Sequence, residues 1–550
     1  MTKLSKTLFS LAYGFIIILI IIMSTVPPVS RDAQTHHLAL PKIWLSEGIM
    51  TEVPDMEFSY YPQLIDLLYV LPVALDLDIA AKYIHFAFGL GIVLLIFFYV
   101  RRFLGVFWGL LGGLMFLSLP VILKLSVTVY VDLGLLFFFT ASLFSILIWL
   151  EDPKKIRWII ISGVSSGFAL STKYNAMLSV TVLTLLFSYF YLKANSHHLS
   201  VKFKTIKYMA IFSICALLIY SPWLIRNYSL TGNPIYPLHQ SFFSQISKEN
   251  QNTNEQEPFK AKRLNPLTTR KIVFGESLLY SLAVPIRIFY EGQDNKPQYF
   301  DGKLNPLLLL FSLLLVVLKK NRWQNQFLAT FVILTLLYTL LAADMRIRYV
   351  ITIVSPMVIL SVFGLFELNQ WLKTKFNQSK APLFILSLLI STYFIYNMSY
   401  ALSLYRNINP MPFISGKISR DDYISNKLSY FPLNQRANEI VPSDGKLLGI
   451  YTGNRRYYID VPLSLESKLP FKLVKNISNA SELSEAFLKR NITHILVRVD
   501  LFNQELSRKE ISHQTIMTNF FKNHVKLIDS KGVFYLYQID KFETKTPKEG

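Results

Sequence analysis

Long apolar runs separated by short polar segments dominate residues 1–404. An α-helix needs about 20 mostly apolar residues to cross the roughly 30 Å hydrocarbon core of a bilayer. The chain therefore predicts a mainly α-helical, polytopic membrane bundle of about eleven transmembrane helices. The eleven apolar runs, of which the fifth is the shortest, are 8–26, 79–100, 103–119, 130–150, 158–170, 176–192, 208–224, 304–318, 327–343, 350–366 and 381–402.

The pattern changes after residue 404, where short strand-like and helical segments alternate. Strands are predicted at 446–451, 492–498, 525–529 and 533–538, and helices at 481–490 and 512–523. The sequence thus predicts two domains: a transmembrane domain at 1–404 with long outer loops at 27–78 and 226–303, and an α/β domain at 405–550. The polar stretch 247–257 is predicted to form a loop tip.

Composition supports the membrane assignment. The chain is 52% hydrophobic and only 17% charged, whereas soluble domains are about 25% charged. Cys215 is the only cysteine, which excludes a disulfide framework and a cysteine-based zinc site. The formal net charge of +21 raises the alternative of nucleic-acid binding, which the position of the charges decides.

The basic residues predict the orientation of the helices. Six clusters precede the first apolar run or follow an even-numbered one, and they hold 17 basic against three acidic residues, a net charge of +14. Basic residues concentrate in cytoplasmic loops. We therefore expect a cytoplasmic amino terminus, an uncleaved first helix, a carboxy-terminal domain on the opposite side, and no nucleic-acid partner. The clusters are Lys3/Lys6, Arg101/Arg102, Lys154/Lys155/Arg157, Lys193/Lys202/Lys204/Lys207, Lys319/Lys320/Arg322 and Lys373/Lys375/Lys380.

Ionisable side chains gather at the predicted outer ends of the helices. Both short outer turns carry a lysine, against the positive-inside trend, which favours one shared site. Cations in a partly dry pocket suit a phosphate or pyrophosphate, and a nearby carboxylate suits general-base chemistry on a hydroxyl. The candidates are Asp32, His36, His37, Lys124, Asp132, Lys173, Tyr174, Arg226, Asp344, Arg346 and Arg348.

Each candidate also has a structural interpretation. Asp32 and Asp132 each stand where a helix-capping carboxylate would. Lys124 is typical of a lysine that extends toward the membrane surface, and Arg348 of an anchor to lipid headgroups. His37 is either a buried interfacial histidine or a metal ligand. Catalysis remains the favoured interpretation of the carboxylates, because two separate helices deliver an acid to the same level.

Several segments resemble lipid-carrier-dependent glycosyltransferases of the GT-C superfamily, which includes protein O-mannosyltransferases and the aminoarabinose transferase of lipid A. The similarity extends over nearly the whole chain in the expected order. The segments are RDAQTHHLALPKIW at 31–44, YYPQ at 60–63, YVDL at 130–133, GFALSTKYN at 167–175, SPWLIRN at 221–227, TGNPIYP at 231–237, RIRYV at 346–350 followed by Pro356, YTGNRRYY at 451–458 and ITHILV at 492–497.

The resemblance implies a polyprenyl-phosphate-linked sugar as donor, inversion at the anomeric carbon, and an acceptor hydroxyl on a lipid, glycan or protein. It also implies a bacterial inner membrane, with the active site and the carboxy-terminal domain in the periplasm. The residue roles expected under it are catalysis for Asp32 and Asp132, donor-phosphate binding for Lys173, Arg226 and Arg346, and substrate binding for His36, His37, Tyr61 and Tyr174.

Two matters stay open at the level of the sequence. Many relatives carry an Asp-Glu pair in the first outer loop, whereas Ala33 follows Asp32 here. This difference argues against a metal site built on two adjacent carboxylates. No cofactor is assigned, and a divalent metal remains an alternative. The alternative functions are a secondary transporter or flippase, a non-catalytic scaffold, and an O-antigen-type ligase or polymerase. Transporters place charged sites near the bilayer midplane between repeated halves, a pattern that this chain lacks.

Overall fold

The computed structural model describes residues 3–195, 200–243, 265–320, 322–342, 344–376 and 379–540. The predicted loop tip at 247–257 lies outside these residues. The chain divides into two compact units. The helical unit comprises Met1–Thr25, Tyr60–Pro72 and Ile79–Pro410, and the sheet unit comprises Val26–Ser59, Val73–Asp78 and Met411–Gly550.

All eleven predicted membrane spans are helices in the structure. Over the described ranges, eight helices are long and apolar enough to cross a membrane: Lys3–Ser24, Ala80–Leu104, Asp132–Glu151, Ala176–Ala194, Val201–Thr231, Trp323–Ala342, Ile347–Lys375 and Ala381–Ile408. The helices Val106–Ser118 and Pro120–Ser126 meet at an angle of 67° and together make a ninth candidate. The other two predicted spans are shorter, at Arg157–Thr172 and Pro306–Val317.

Short helices complete the helical unit. Leu64–Ala74 is an apolar helix that the sequence pattern missed, because its 11 residues fall below the length of a membrane span. The described part of the loop after Val201–Thr231 folds into the helices Pro266–Phe274, Leu278–Leu282 and Val284–Arg287 and the 3₁₀ turn Pro297–Tyr299. The long helix Ile347–Lys375 begins as a 3₁₀ segment, Ile347–Ile353, and continues as the α-helix Val354–Lys375.

Close glycine contacts fix one helix pair in the helical unit. Gly163 and Gly167 lie four residues apart on Arg157–Thr172 and face Val201–Thr231. An added Cβ at Gly163 would lie 2.6 Å from the carbonyl oxygen of Phe212, and one at Gly167 would lie 2.6 Å from that of Ala216. Small residues at this spacing allow two membrane helices to approach closely. The pair therefore sets the position of Lys173, which directly follows the first helix.

The sheet unit contains the predicted α/β domain. Its mixed five-stranded sheet has the order β2-β1-β3-β5-β4, with parallel pairing from β2 to β3 and antiparallel pairing from β3 to β4. Leu447, Ile495 and Leu536 are fully buried on its strands. The strands are β1 Lys446–Ile450, β2 Leu463–Ser464, β3 Ile492–Arg498, β4 Val525–Lys531 and β5 Phe534–Ile539. The helices are Met411–Ile414, Arg420–Lys427, Phe431–Ile440, Leu469–Leu473, Val474–Asn476 (3₁₀), Ala480–Leu488, Val499–Leu506 and Ile511–Asn523.

Most of the first long loop folds with this sheet. It contains the π-helix Ala33–His37, the α-helix Ala39–Glu47 and the 3₁₀ turn Glu57–Tyr60. The Gln34 carbonyl accepts hydrogen bonds from the backbone N–H groups of Arg456 and Tyr457, each at 3.1 Å. The Gln34 side chain accepts a bond of 2.7 Å from the Tyr430 hydroxyl. These bonds tie the loop to the segment 455–460, which carries the RRYY sequence.

Candidate active site

A buried ion pair joins two of the predicted site residues in the helical unit. Asp132 is the first residue of the helix Asp132–Glu151, and Lys173 directly follows the helix Arg157–Thr172. The Lys173 Nζ donates to Asp132 Oδ1 at 2.9 Å, and the Asp132 side chain is 0% exposed. A carboxylate at a helix amino terminus is favoured by the helix dipole. The N-cap position belongs to Val131, so Asp132 does not occupy the capping position that the structural interpretation gave it.

Two arginines and a second carboxylate extend this pair. Arg348 lies 4.0 Å from Asp132 Oδ2 and 3.6 Å from Asp301 Oδ2, and its guanidinium stands over the Tyr130 ring at 4.7 Å. Arg346 lies 3.7 Å from the same Asp301 oxygen. Arg348 is only 11% exposed, so both of these carboxylates hold it inside the protein. An arginine that only anchored a helix end to lipid headgroups would not be enclosed in this way.

These five side chains form what we call the cation cluster: Asp132, Lys173, Asp301, Arg346 and Arg348. Three cations face two carboxylates, which leaves one positive charge in excess. Arg346 Nε is buried and has no hydrogen-bond acceptor within the described residues. Buried donors without a partner are rare in native proteins, and each calls for an explanation such as a ligand. The cation cluster therefore has both the charge and an open donor for an anionic group.

An aromatic and amide network carries Tyr61, Tyr174 and Arg226. The rings of Tyr61 and Tyr174 lie 5.0 Å apart. The Asn227 amide donates to the Tyr174 hydroxyl at 3.0 Å and to the Tyr60 carbonyl at 2.7 Å, while Arg226 donates to the Asn227 side chain at 3.4 Å. Because Tyr174 follows Lys173 in the chain, the network continues from the cation cluster. The contacts place Tyr61 beside Tyr174, and they connect Arg226 to Tyr174 only through its chain neighbour Asn227.

Lys124 has a partner in the protein. Its ammonium lies 3.1 Å from Asp294 Oδ1, and the Tyr400 hydroxyl donates to the other Asp294 oxygen at 2.6 Å. Lys124 is 18% exposed. The interpretation of Lys124 as a residue that extends toward the membrane surface is therefore replaced by an ion pair inside the helical unit. That pairing leaves its charge balanced and unavailable for the excess of the cation cluster.

Of the remaining candidates, Asp344 is an exposed residue of the helical unit, and Asp32, His36 and His37 belong to the sheet unit. Asp32 precedes the π-helix Ala33–His37 and makes no side-chain capping hydrogen bond. Asp32 and His36 are four residues apart, which would place them on one face of an α-helix, but the wider π-helical turn changes that register. Short π-helical segments occur frequently at functional sites. The His36 ring stacks on Phe58 at 4.4 Å and its Nδ1 lies 2.8 Å from the Thr35 hydroxyl, while His37 is 4% exposed.

A metal-binding group does not emerge from the described ranges: no set of three or more His, Cys, Asp or Glu side chains there has the arrangement of a metal site. His36 and His37 are adjacent in space, with ring centroids 4.0 Å apart. Their contacts with Phe58 and Thr35 account for the position of the His36 ring. The two histidines therefore remain candidates for contact with a substrate.

Three ionisable residues of the helical unit, one partly and two fully buried, escaped the sequence patterns. Asp301 lies inside the long loop 226–303, where one acid among many polar residues gives no periodic signal. Asp66 and Lys82 are 2% and 3% exposed. Lys82 offered a usable signal, since it is a lysine in the first turn of an apolar helix at the level of the predicted site. Asp66 was hidden because its helix is too short to register as a span.

Comparison with solved structures decides the fold. ArnT from Cupriavidus metallidurans matches in the apo state with a TM-score of 0.60 and 11% identity, over 97% of this chain and 98% of that one. ArnT bound to undecaprenyl phosphate matches with a TM-score of 0.59 and 12% identity, over 96% and 97% of the two chains. The chain has the GT-C glycosyltransferase fold.

Further comparisons agree with the GT-C fold. The oligosaccharyltransferase AglB from Archaeoglobus fulgidus, in complex with an inhibitory peptide and a dolichol-phosphate, matches with a TM-score of 0.51 and 10% identity, over 98% of this chain and 75% of that one. Residues 69–225 match the family model of dolichyl-phosphate-mannose-protein mannosyltransferases. No curated protein matches the chain in a direct search.

These matches confirm the predicted fold class of a membrane helical bundle with a carboxy-terminal α/β part, and they agree with the GT-C resemblance of the sequence. The long apolar helices of the described residues agree with a multi-pass membrane protein, and the matches do not favour the transporter alternative. The family segment at 69–225 includes Asp132 and Lys173, so the ion pair at the centre of the cation cluster lies within the matched region.

Proposed function

We propose that this GT-C protein transfers a sugar from a polyprenyl-phosphate donor to an extracytoplasmic acceptor hydroxyl on a lipid, glycan or protein, with inversion at the anomeric carbon. The cation cluster is the observation that carries this proposal. It is a set of three partly buried cations around the fully buried Asp132 and the partly buried Asp301, at one end of a membrane helical bundle. A lipid phosphate brings a negative charge to this depth while its polyprenyl chain stays in the bilayer.

The charges of the cluster fit the reaction. A sugar phosphodiester carries one negative charge, equal to the excess of the cation cluster. The departing lipid phosphate gains further negative charge as the bond to the sugar breaks. Fixed cations in a water-poor site stabilise charge where it develops in the transition state. We assign donor-phosphate binding to Lys173, Arg226 and Arg346, of which Arg346 has the open Nε donor.

Asp132 acts through Lys173 in this proposal. Its carboxylate is fully buried and accepts the lysine hydrogen bond at 2.9 Å, so it holds the ammonium in position and leaves the sugar to other residues. Asp132 is therefore a positioning residue. Arg348, which contacts both carboxylates of the cation cluster, is the corresponding support on the other side.

Asp32 is the proposed general base. In the chemical step the acceptor hydroxyl oxygen forms a bond to the anomeric carbon, the bond from that carbon to the phosphate oxygen breaks, and the hydroxyl proton passes to Asp32. The polyprenyl phosphate leaves with the bonding electrons. Attack opposite the leaving group gives inversion. We assign substrate contacts to His36, His37, Tyr61 and Tyr174.

The orientation completes the proposal. The helices that begin at the cation cluster end at basic segments: Asp132–Glu151 is followed by Lys154 and Lys155, and Ile347–Lys375 ends with Lys373 and Lys375. The positive-inside rule places such segments in the cytoplasm. We propose a bacterial inner membrane with a cytoplasmic amino terminus, and with the cation cluster and the domain at 405–550 on the periplasmic side.

A panel assay tests the proposed activity. Full-length protein in detergent is incubated with polyprenyl-phosphate sugars and candidate acceptors, and free polyprenyl phosphate is measured. We expect release of lipid phosphate with at least one donor. Asp32→Asn should abolish turnover while donor binding is retained, and the exposed Asp444→Asn, also in the sheet unit, serves as its control. Full turnover by a folded Asp32→Asn protein would remove Asp32 from catalysis.

The phosphate assignment needs its own readout. Lys173→Ala should weaken the binding of undecaprenyl phosphate, whereas Lys271→Ala, an exposed lysine of the same unit, should leave it within twofold of the wild-type value. Unchanged affinity in a folded Lys173→Ala protein would contradict the assignment. Transport of an intact lipid-linked sugar in proteoliposomes without any transfer would instead support a flippase.

A further inference from the structure

A large cavity opens in the helical unit at the end remote from the cation cluster. Its volume is about 810 Å³. The helix Val354–Lys375 has 22 residues, so Lys373 near its end lies about 30 Å along the axis from its start. The ion pair of Arg102 with Glu151 joins the last turns of two further helices at this same end. The cavity is therefore separate from the proposed donor site.

The lining of the cavity combines polar and apolar side chains. The polar residues are Asn369, Lys373 and Ser379, and the larger apolar set includes Phe107, Leu383 and Leu386. We call these two sets the polar half and the apolar half of the lining. A cavity lined in this way suits an amphiphile, with a polar group on one side and hydrocarbon on the other.

Charge selects the type of amphiphile. None of the lining residues in the described ranges is acidic, and Lys373 contributes a positive charge. Two acids at this end of the helical unit are already paired: Glu151 with Arg102, and Glu367, on the same helix as Lys373, with Lys320. An anionic headgroup thus finds an attractive field at the polar half. Basic pockets between membrane helices on the cytoplasmic side are known to bind anionic lipid headgroups.

The apolar half leads onto a surface that faces the bilayer. On the helix Ala381–Ile408, Leu383 and Phe384 are each 69% exposed and Leu388 is 56% exposed. In a membrane protein such a surface is covered by acyl chains. A headgroup in the cavity would therefore have a continuous apolar path for its tails along this helix.

We propose that this cavity binds one anionic phospholipid, with its phosphate at Lys373 and Asn369 and its acyl chains along Leu383 and Leu386. The site is distinct from the donor site and does not depend on the proposed transfer activity. The protein would thereby hold a structural lipid of the inner leaflet.

Native mass spectrometry of the full-length protein tests the proposal. The protein in a neutral detergent is titrated with dioleoyl phosphatidylglycerol and, separately, with dioleoyl phosphatidylcholine. We expect one saturable phosphatidylglycerol, bound at least about fivefold more tightly than phosphatidylcholine. Glycerol 3-phosphate, which has the anionic group without chains, should not displace it at equal concentration; displacement would indicate a site for a soluble anion.

Variants locate the bound lipid. Lys373→Gln should weaken phosphatidylglycerol about fivefold, and Lys373→Glu by about tenfold or more. Lys154→Gln, an exposed lysine at the same end, is the control and should change affinity less than twofold. Leu386→Trp fills the apolar half with the charges intact and should also displace the lipid. Thermal melting of each variant verifies folding.

Three results would overturn the proposal. Equal affinities for the two phospholipids would remove the role of charge. Equal losses in Lys373→Gln and Lys154→Gln would show diffuse attraction to this surface. A saturating protein dimer in place of the lipid adduct would assign the cavity to a second copy of the chain.

Discussion

Replacing Lys173 separates its structural role from its proposed role in binding. The ammonium lies 2.9 Å from a carboxylate that is 0% exposed, and Arg348 stands farther away, at 4.0 Å. Lys173→Met keeps the length of the side chain and removes its charge. Breaking a buried ion pair costs about 3–5 kcal/mol, because the remaining charge stays in the interior. We expect about 3 kcal/mol here, since Lys173 is 17% exposed and Arg348 remains in place.

A second substitution completes the cycle. Lys173→Met leaves the Asp132 carboxylate charged and without its lysine partner in the low-dielectric interior. Asp132→Asn removes that charge. The double variant should therefore be more stable than Lys173→Met alone, by about 2 kcal/mol. Its affinity for polyprenyl phosphate should stay low. A hydrogen bond to a charged group contributes about 1.5–3 kcal/mol, which corresponds to a loss of roughly 10- to 150-fold.

Two measurements are made on each member of this double-mutant cycle. Stability is followed by tryptophan fluorescence as sodium dodecyl sulfate is titrated into mixed micelles, and affinity by binding of undecaprenyl phosphate to the purified variants. Lys271→Met serves as the control for both. Recovery of stability together with affinity in the double variant would show that Lys173 only balances Asp132. An unchanged stability in Lys173→Met would contradict the buried pair itself.

Three further predictions concern the scaffold. Gly167→Val should destabilise the helical unit by about 1–3 kcal/mol, because the new side chain would clash with the neighbouring helix, and it should also lower donor affinity. Gly14→Val is the control and should cost less, since nothing lies within 4 Å of a Cβ added there. Equal melting temperatures of the two variants would refute this prediction. Asp301→Asn should release Arg346 and Arg348, because it removes the carboxylate that both arginines contact. Turnover at saturating donor should then be slower, and the dependence of turnover on salt concentration should change. Unaltered kinetics would show that Asp301 does not hold the two arginines in place. Burial would raise the pKa of Glu276, but hydrogen bonds from Arg287 and Arg270 hold that pKa below its usual value. The stability that the Glu276 carboxylate contributes is thus present above about pH 4.5 and lost as the pH falls through the lowered pKa. Between pH 6 and pH 3 the melting temperature should therefore fall less in Glu276→Gln than in the wild-type protein. Parallel curves of melting temperature against pH would refute this prediction.

Hydrophobic length was sufficient to locate the eleven helical segments, because a bilayer imposes one requirement on every span. Periodicity likewise located the carboxy-terminal strands, since a period of two and tight turns such as Lys531-Gly532 are local signals. Asp132 and Lys173 each stand at a helix end on the same predicted side, but their ion pair was not predicted from the sequence.

Local patterns failed where partners are distant or geometry is unusual. Asp301 joins the cation cluster through Arg348, 47 positions later, from a loop that has no periodicity. The π-helix after Asp32 has no distinctive composition, so the sequence gives no local signal for it. The first loop was assigned to the transmembrane domain, but the bonds of Gln34 with Tyr430 and Tyr457 associate most of it with the sheet unit.

Those Gln34 bonds impose an order of events during biosynthesis. The first loop leaves the ribosome early, but the N–H groups that its carbonyl accepts belong to residues made more than 420 positions later. At about 5–20 residues per second, the segment that carries Asp32 waits roughly 20–80 s for its partners. A nascent chain that stops short of Arg456 thus lacks both donors to the Gln34 carbonyl, and its first loop stays without these bonds.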